Sequence, residues 1–246
     1  MPLTPALTSW NEGIAKKAIV EFVEQTVRDG VPVEDRVAVF DHDGTLWCEK
    51  PMPIQMDFIL RRLSEMVTVD PGLRDRQPWK AAHEHDYAWF GAVIAEHYAG
   101  NDTNVGTLMG GILAAFQAMN VEEFEARSSE FLRTVSHPTL GRGYLQCTYA
   151  PMVELLRYLE GNGFSNYIAS GGGRDFMRPI TQEVYGIPRE RVIGSASALE
   201  YIGDDHGRHD HSQSGGGLPR RRSAEAGAHL EPHRTPAGAR GGQLQR

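Results

Sequence analysis

The chain contains few cysteines and no long apolar run. Cys48 and Cys147 are its only cysteines, too few for a disulfide framework, and their spacing does not match that of metal ligands. No apolar run approaches the roughly 20 residues that a membrane-spanning helix needs. The segment 1–5 lacks a basic stretch followed by an apolar one, so we expect no secretion signal. These absences favour a cytoplasmic protein without a membrane partner.

The charge balance gives no reason to expect nucleic acid as a partner. The formal net charge is −7, and the apolar and charged fractions, 40% and 23%, are ordinary for a soluble globular protein. The length of 246 residues allows one large or two modest domains. Seven arginines stand against three acidic residues in 207–246, a local charge of +4, which leaves −11 for residues 1–206.

A pair of aspartates follows the first strand signal. The apolar stretch 37–40 (Val-Ala-Val-Phe) predicts a short, fully buried strand, and Asp41 and Asp43 come directly after it. In an open α/β sheet, ligands bind beyond the carboxyl ends of the strands. Since side chains alternate along extended backbone, the two carboxylates can share a face and form an oxygen-rich site suited to Mg²⁺. The alternative is a solvated, Asp-rich turn.

A second strand signal runs into a serine and three glycines. Residues 164–169 are followed by Ser170 and Gly171–Gly173, and a helix is predicted to start near Arg174. Glycine permits close approach to the backbone, and the N–H groups at a helix N-terminus attract phosphate. The alternative is a Ser-Gly turn without function.

Helical patterns fill most of the remaining chain, and about 90 of these residues lie between the first two strands, too many for one crossover connection. We therefore predict an inserted helical cap domain. The predicted helices are 8–29, 54–69, 79–99, 104–119, 121–135, 151–160 and 175–185, and a further strand is predicted at 191–194.

With its apolar strand and Asp-x-Asp-Gly-Thr, the first motif resembles that of the haloacid dehalogenase-like (HAD) hydrolase superfamily. The resemblance implies that Asp41 is the nucleophile and that Asp43 is the general acid and later the base. It also implies that both carboxylates hold Mg²⁺ and that Ser170 binds the phosphoryl oxygen, with Gly171 and Thr45 in the substrate site. An aspartate two residues after the nucleophile is typical of the superfamily's phosphatases, so the expected substrate is a small phosphorylated molecule.

The resemblance also implies a domain organisation. We expect a Rossmann-like α/β core with a parallel sheet, formed by 1–50 and 139–206, and an α-helical cap formed by 51–138. A cap at this position is similar to that of the phosphoserine-phosphatase-like branch. The sequence does not indicate which phosphorylated molecule is the substrate, nor the oligomeric state.

Residues near the two motifs have ordinary structural interpretations. Glu49 is interpreted as a surface residue rather than a substrate ligand. His42 stands where related sequences often have asparagine, and only its backbone needs to matter for the strand. Trp47, Trp79 and Trp89 are expected to pack in a core.

Two elements that the superfamily needs are missing. No lysine follows Lys80, and Arg174 or Arg178 would be a poor replacement because a guanidinium differs in geometry from an ammonium. Asp204 and Asp205 are interpreted as a hairpin turn rather than the acidic loop that completes the Mg²⁺ site. We therefore expect weak or lost activity, and the alternative is a non-catalytic remnant or phosphate-ligand-binding protein of the same fold.

The segment 207–246 differs in composition from the rest of the chain. It has eight glycines, three leucines and no Ile, Val, Phe, Trp, Tyr or Met, which predicts disorder because too little apolar surface is available for burial. Read one base out of frame from the codon of Gly215, permitted codons spell Glu-Ala-Asp-Tyr-Leu-Asp-Asp-Gly-Pro-Gln-Lys-Pro and later Val-Leu-Ala-Ala-Gly-Asn-Ser-Asn-Gly. These would supply a lysine, an apolar strand and an acidic-loop-like turn. The hypothesis is a frameshift near residue 207.

Overall fold

The chain is a mixed α/β protein with a small parallel sheet. The structure, a computed structural model, describes residues 7–117, 119–196, 198–200 and 220–222, the last two ranges as backbone alone. The helices are α1 Ile14–Arg28, α2 Ile54–Val69, α3 Trp79–Glu84, α4 Tyr87–Tyr98, α5 Thr103–Phe116, α6 Val121–Thr134, α7 Ala150–Gly161 and α8 Arg174–Tyr185. The strands are β1 Val37–Phe40, β2 Ser165–Gly173, β3 Val192–Ser195, β4 Ala198–Glu200 and β5 Arg220–Arg222. None of the helices in the described ranges has the length and apolar character needed to cross a membrane.

Three of the strands form one parallel sheet in the order β1-β2-β3. β1 pairs with β2 from Val37 opposite Ser165 to Phe40 opposite Ile168. The two motifs therefore end on neighbouring strands that run in the same direction. This register brings Asp41, which follows Phe40, towards the Ser-Gly segment that follows Ile168.

The prediction that β1 is fully buried is wrong. Val37 and Val39 are 50% and 59% exposed. Ala38 and Phe40 instead pack against an apolar cluster that includes Leu155 of α7. Among the described residues β1 pairs on one side alone, with β2, so one face and one edge of this strand stay open. Four apolar residues in a row are typical of a buried strand, but burial depends on neighbours that lie far away along the chain.

The helices agree with some of the predicted segments and differ from others. Helix α2 has the predicted bounds, whereas α1 starts at Ile14 rather than at residue 8. The predicted helix 79–99 is two helices, because His85 has a left-handed backbone (φ 56°) and Asp86 caps α4 by accepting from the Trp89 N–H at 3.1 Å.

The predicted Ser-Gly turn is instead the end of β2. The strand continues to Gly173, which pairs with Ser195 of β3 after an irregularity in register, and α8 follows directly. A Cβ atom on Gly194 would lie 2.6 Å from the Gly172 carbonyl oxygen. Glycine at 194 thus lets β3 approach the Ser-Gly segment closely.

One hydrophobic cluster joins the helices after β1 to the sheet. The ring centroid of Phe58 in α2 lies 5.7 Å from the ring centroid of Phe116 in α5 and 5.4 Å from that of Phe176 in α8. The division into a cap (51–138) and a core (1–50 and 139–206) stays a prediction, since this cluster contains residues of both segments.

Most of the segment 207–246 lies outside the described residues. Within it, Arg220–Arg222 is strand β5, antiparallel to β4. The predictions of disorder in this segment and of a hairpin turn at Asp204 and Asp205 otherwise fall on residues that the structure does not describe.

Candidate active site

A tight turn after β1 positions the aspartate pair. Gly44 has a left-handed backbone (φ 72°), and its N–H donates to the Trp47 carbonyl oxygen at 3.0 Å. The His42 carbonyl oxygen accepts from the Leu46 N–H at 2.9 Å. The turn therefore folds back on itself directly after the sheet, with Asp41 at its start and Asp43 inside it.

The structure brings Asp43 and Ser170 together around one point. A Cβ atom on Gly172 would lie 4.0 Å from Asp43 Oδ2 and 3.5 Å from Ser170 Oγ. The Cβ position of Gly172 is thus bordered by a carboxylate from one motif, a hydroxyl from the other and, nearest of the three at 3.4 Å, Oε1 of Gln55. This juxtaposition is the one expected of a phosphate site at the carboxyl ends of two parallel strands.

Asp41 precedes Asp43 by two residues and has an exposed side chain. Its Oδ1 accepts a hydrogen bond from the His42 N–H at 2.7 Å, and its negative charge acts on Asp43. An exposed carboxylate next to a half-buried one suits a nucleophile beside an acid, although the two roles stay predictions.

The contacts of Thr45 and Gly171 do not place either residue against the carboxylates. The Thr45 N–H donates to the His42 carbonyl oxygen at 3.3 Å. The Gly171 carbonyl oxygen accepts from Ser195 Oγ at 2.9 Å. Their assignment to the substrate site stays a prediction.

Gln55 of α2 is a site residue that the sequence interpretation missed. Its Oε1 accepts from the Gly173 N–H at 2.7 Å and lies 3.4 Å from the Cβ position of Gly172. The Gly172 N–H donates to Ser170 Oγ at 3.2 Å. Nothing in the sequence could have identified Gln55, because its role follows from the packing of α2 over a segment more than a hundred residues away.

Burial is the main cause that raises the pKa of Asp43. The hydrogen bond from Trp47 opposes this effect, and the negative charges of Asp41 and Glu49 add to it. A raised pKa keeps a larger fraction of this carboxyl group protonated near neutral pH than an exposed aspartate would show. Asp43 is therefore better suited than an ordinary aspartate to donate a proton.

The side chains of His42 and Trp47 fix one oxygen of Asp43. Trp47 Nε1 donates to Asp43 Oδ1 at 2.6 Å, and the His42 ring stacks on the indole at 4.1 Å between centroids. His42 Nε2 is hydrogen-bonded to the Tyr185 hydroxyl at 3.2 Å. Burial lowers the pKa of His42 to about 3, so the imidazole is neutral at pH 7. The side chain of His42 thus contributes to the packing around Asp43, and Trp47 donates a hydrogen bond in addition to packing in a core.

Glu49 lies closer to the motif than its interpretation as a surface residue implies. Its carboxylate oxygens are 3.2 and 3.3 Å from the Cβ position of Gly44. Lys50 Nζ is 3.4 Å from Glu49 Oε1. Glu49, which with Asp41 is one of two acidic side chains acting on Asp43, is thus paired with the solvent-exposed Lys50.

Asp41 and Asp43 could hold Mg²⁺ if oxygens of the substrate and of water complete its coordination. Mg²⁺ is commonly held by one or two carboxylates together with phosphate oxygens and water, and Asp41 and Asp43 supply that pair. Within the described ranges no group of three or more His, Cys, Asp or Glu side chains is placed to hold a metal ion. Arg174 and Arg178 pair with Asp175 at 3.1 and 3.6 Å, respectively, which ties both guanidinium groups to α8.

Comparisons with known proteins give distant structural likenesses. No family model and no curated protein matches the chain. It is similar to a phosphoserine phosphohydrolase-like protein from Francisella tularensis subsp. tularensis SCHU S4, at 19% identity and a TM-score of 0.35, over 69% of this chain and 61% of that one. A protein of unknown function from Bordetella pertussis Tohama I is similar at 18% identity and a TM-score of 0.43, over 68% of this chain and 62% of the other.

A conserved, functionally unknown protein from Anaerococcus prevotii DSM 20548 is similar at 15% identity and a TM-score of 0.44, over 85% of this chain and 71% of that one. The chain thus spans about three fifths of the length of the first two structures. The TM-scores are too low to assign the chain to a family.

Proposed function

We propose that this protein is a Mg²⁺-dependent phosphomonoester hydrolase with a HAD-like core and a helical cap. The observation that supports this most directly is the pair of oxygens, Asp43 Oδ2 and Ser170 Oγ, that lie 4.0 and 3.5 Å from the Cβ position of Gly172. A phosphoryl group there would meet the carboxylate of Asp43, which can serve as an acid, and the hydroxyl of Ser170, which can donate to a phosphoryl oxygen. The substrate is a small phosphorylated molecule.

In the first step, an Asp41 carboxylate oxygen attacks phosphorus, and the bond between phosphorus and the leaving oxygen breaks. Asp43, in its protonated form, donates its proton to that leaving oxygen, so an alcohol departs and an aspartyl-phosphate remains on Asp41. The raised pKa of Asp43 supports this role, since the proton must be present when the bond breaks.

In the second step, the Asp43 carboxylate takes a proton from water as the water oxygen attacks phosphorus. The bond between the Asp41 oxygen and phosphorus breaks, which releases inorganic phosphate and returns Asp41 to its starting state. Trp47 keeps Oδ1 of Asp43 occupied, so Oδ2 is the oxygen that exchanges the proton.

Asp41 and, in its ionised form, Asp43 would hold the Mg²⁺ ion, which would neutralise charge on the transferring phosphoryl group. With two carboxylates and no lysine after Lys80, we expect turnover by this chain to be slow. The alternative function, phosphate-ligand binding without turnover, is favoured by the same shortage of charged groups.

A colorimetric assay separates the two functions. Hydrolysis of p-nitrophenyl phosphate with Mg²⁺ is compared among the natural chain, Asp41→Asn and Asp35→Asn, a control that makes the same chemical change at an exposed position. We expect Asp41→Asn to abolish whatever Mg²⁺-dependent rate the natural chain has, because an amide does not form the covalent intermediate. Equal rates for all three proteins would reject enzymatic use of Asp41.

A further inference from the structure

A cavity of about 410 Å³ lies beside the Ser-Gly segment. Its lining includes Gly171–Gly173, Gln55 and Ser195, and most of the other lining residues are apolar. Helix α5 contributes Met109, Ile112, Leu113 and Phe116, and α2 contributes Phe58 and Ile59. The four α5 residues follow the spacing i, i+3, i+4, i+7, so they form one face of that helix.

The cavity and the candidate active site share residues. Gln55 and Gly172 line the cavity, and Gln55 Oε1 is 3.4 Å from the Cβ position of Gly172, around which Asp43 Oδ2 and Ser170 Oγ also lie. A ligand with its phosphoryl group above Gly172 would therefore have the cavity directly beside it.

The charge distribution limits what the cavity can accept. None of the described residues that line it is a lysine or an arginine, and its one charged side chain, Asp175, pairs with Arg174 and Arg178. An anionic substituent would find no cation there, and an ammonium group would compete with two guanidinium groups for Asp175. Met109 and Leu113 are 43% and 36% exposed, so apolar surface at the mouth is available for a ligand to cover.

We propose that the substrates are phosphomonoesters of uncharged, apolar alcohols, such as aryl or branched alkyl phosphates, whose apolar group occupies this cavity. The inference rests on the proposed function, since it needs the phosphoryl group to lie between Asp43 and Ser170. It excludes phosphorylated amino acids as the preferred substrates, because their carboxylate would meet no cation in the cavity and their ammonium group would compete with Arg174 and Arg178 for Asp175.

Binding of non-hydrolysable phosphonates to the full chain with Mg²⁺ tests the inference without requiring turnover. Calorimetry compares methylphosphonate, naphthylmethylphosphonate and the phosphonate analogue of phosphoserine. We expect the naphthyl compound to bind at least about tenfold more tightly than either of the others, since only its substituent gains from apolar burial. Similar affinities for all three compounds would overturn the inference.

A variant of a partly exposed lining residue tests whether the apolar group binds in this cavity. Met109→Gln keeps the length of the side chain at a partly exposed helical position, and Ile94→Gln is the control at a 46% exposed position of α4 that does not line the cavity. We expect Met109→Gln to weaken the binding of the naphthyl compound several-fold and to leave the affinity for methylphosphonate unchanged. The control variant should alter neither affinity. An equal loss in both variants would overturn the inference.

The outcome can be separated from that of the proposed function. If naphthalenemethanol, which has no phosphoryl group, binds as tightly as the naphthyl phosphonate, the cavity does not act together with the phosphate site and the inference fails. The proposed function is judged by the Asp41→Asn rate alone. If the chain hydrolyses p-nitrophenyl phosphate but binds all three phosphonates equally well, the proposed function stands and this inference is wrong.

Discussion

At the scale of single residues, the two oxygens of Asp43 have different neighbours. Oδ1 accepts the Trp47 indole N–H at 2.6 Å, and Oδ2 lies towards Gly172. Trp47 is buried and stacked on the buried His42 ring, so it has little freedom to release the carboxylate. A catalytic acid gains from such restraint, because its proton stays where the leaving oxygen must be.

We predict that Trp47→Phe costs more stability than Trp79→Phe. Both changes replace a buried indole with a smaller phenyl ring. Trp79 Nε1 has no hydrogen-bond partner among the described residues, whereas Trp47→Phe removes the hydrogen bond from Nε1 to Asp43. Because a hydrogen bond to a charged group contributes about 1.5–3 kcal/mol, the difference in unfolding free energy should be of that order. Urea unfolding of the two variants measures it.

A double-mutant cycle checks that the difference comes from the contact with Asp43. In an Asp43→Ala background, Trp47→Phe should cost less than in the natural chain, because its acceptor is already absent. If the two substitutions are additive, the hydrogen bond does not contribute and the prediction is wrong.

The sequence predicts those candidate site residues that belong to a local pattern. Asp41, Asp43 and Ser170 each follow an apolar run, and parallel pairing of the two strands brings the motifs to one edge of the sheet. Gln55 and Tyr185 could not be predicted, since each reaches the site from a helix whose placement depends on packing. No pattern within the chain specifies such contacts.

At the scale of elements, α5 is closely packed on one side and open on the other. A Cβ atom on Gly111 would lie 2.2 Å from Cγ and 2.6 Å from Cδ of Pro78, whereas one on Gly110 would meet nothing within 4 Å. Pro78 directly precedes α3, so α5 can approach this part of the chain only because residue 111 lacks a side chain.

We predict opposite effects of alanine at these neighbouring positions. Gly110→Ala should stabilise the protein by about 0.5–1 kcal/mol, since alanine favours helix and the site is open. Gly111→Ala should destabilise it by about 1–3 kcal/mol, because the rigid Pro78 ring must move. Thermal unfolding of the pair measures both, and a stabilised Gly111→Ala protein would contradict the described packing of α5.

Prediction of elements succeeded where the signal was within the element itself. The bounds of α2 follow from its apolar periodicity and the proline that precedes it. The break between α3 and α4 was missed because the left-handed backbone of His85 has no strong signal in the sequence. The exposure of β1 was missed because periodicity reports the residues of a strand but not what covers them.

At the scale of the whole molecule, the open side of β1 and the composition of 207–246 point to the same hypothesis. Val37 and Val39 leave apolar surface exposed at an edge that pairs with no other strand in the described ranges, and such edges favour association. With permitted codons, the alternative reading frame of the last segment can encode an apolar strand followed by an acidic-loop-like turn, together with a lysine. Restoring that frame would supply the types of residue that the proposed site lacks.

We therefore predict a single-base insertion or deletion near codon 207, relative to a longer intact frame. DNA sequencing of the locus decides this, and an unbroken frame would refute it. If the shift is present, the frame-restored protein should hydrolyse p-nitrophenyl phosphate at least about tenfold faster than the present chain, because added charged groups stabilise the phosphoryl transition state. The control is the restored frame carrying Asp41→Asn, which should return to the background rate. A restored protein no faster than the present chain would show that the missing residues are not what limits the reaction.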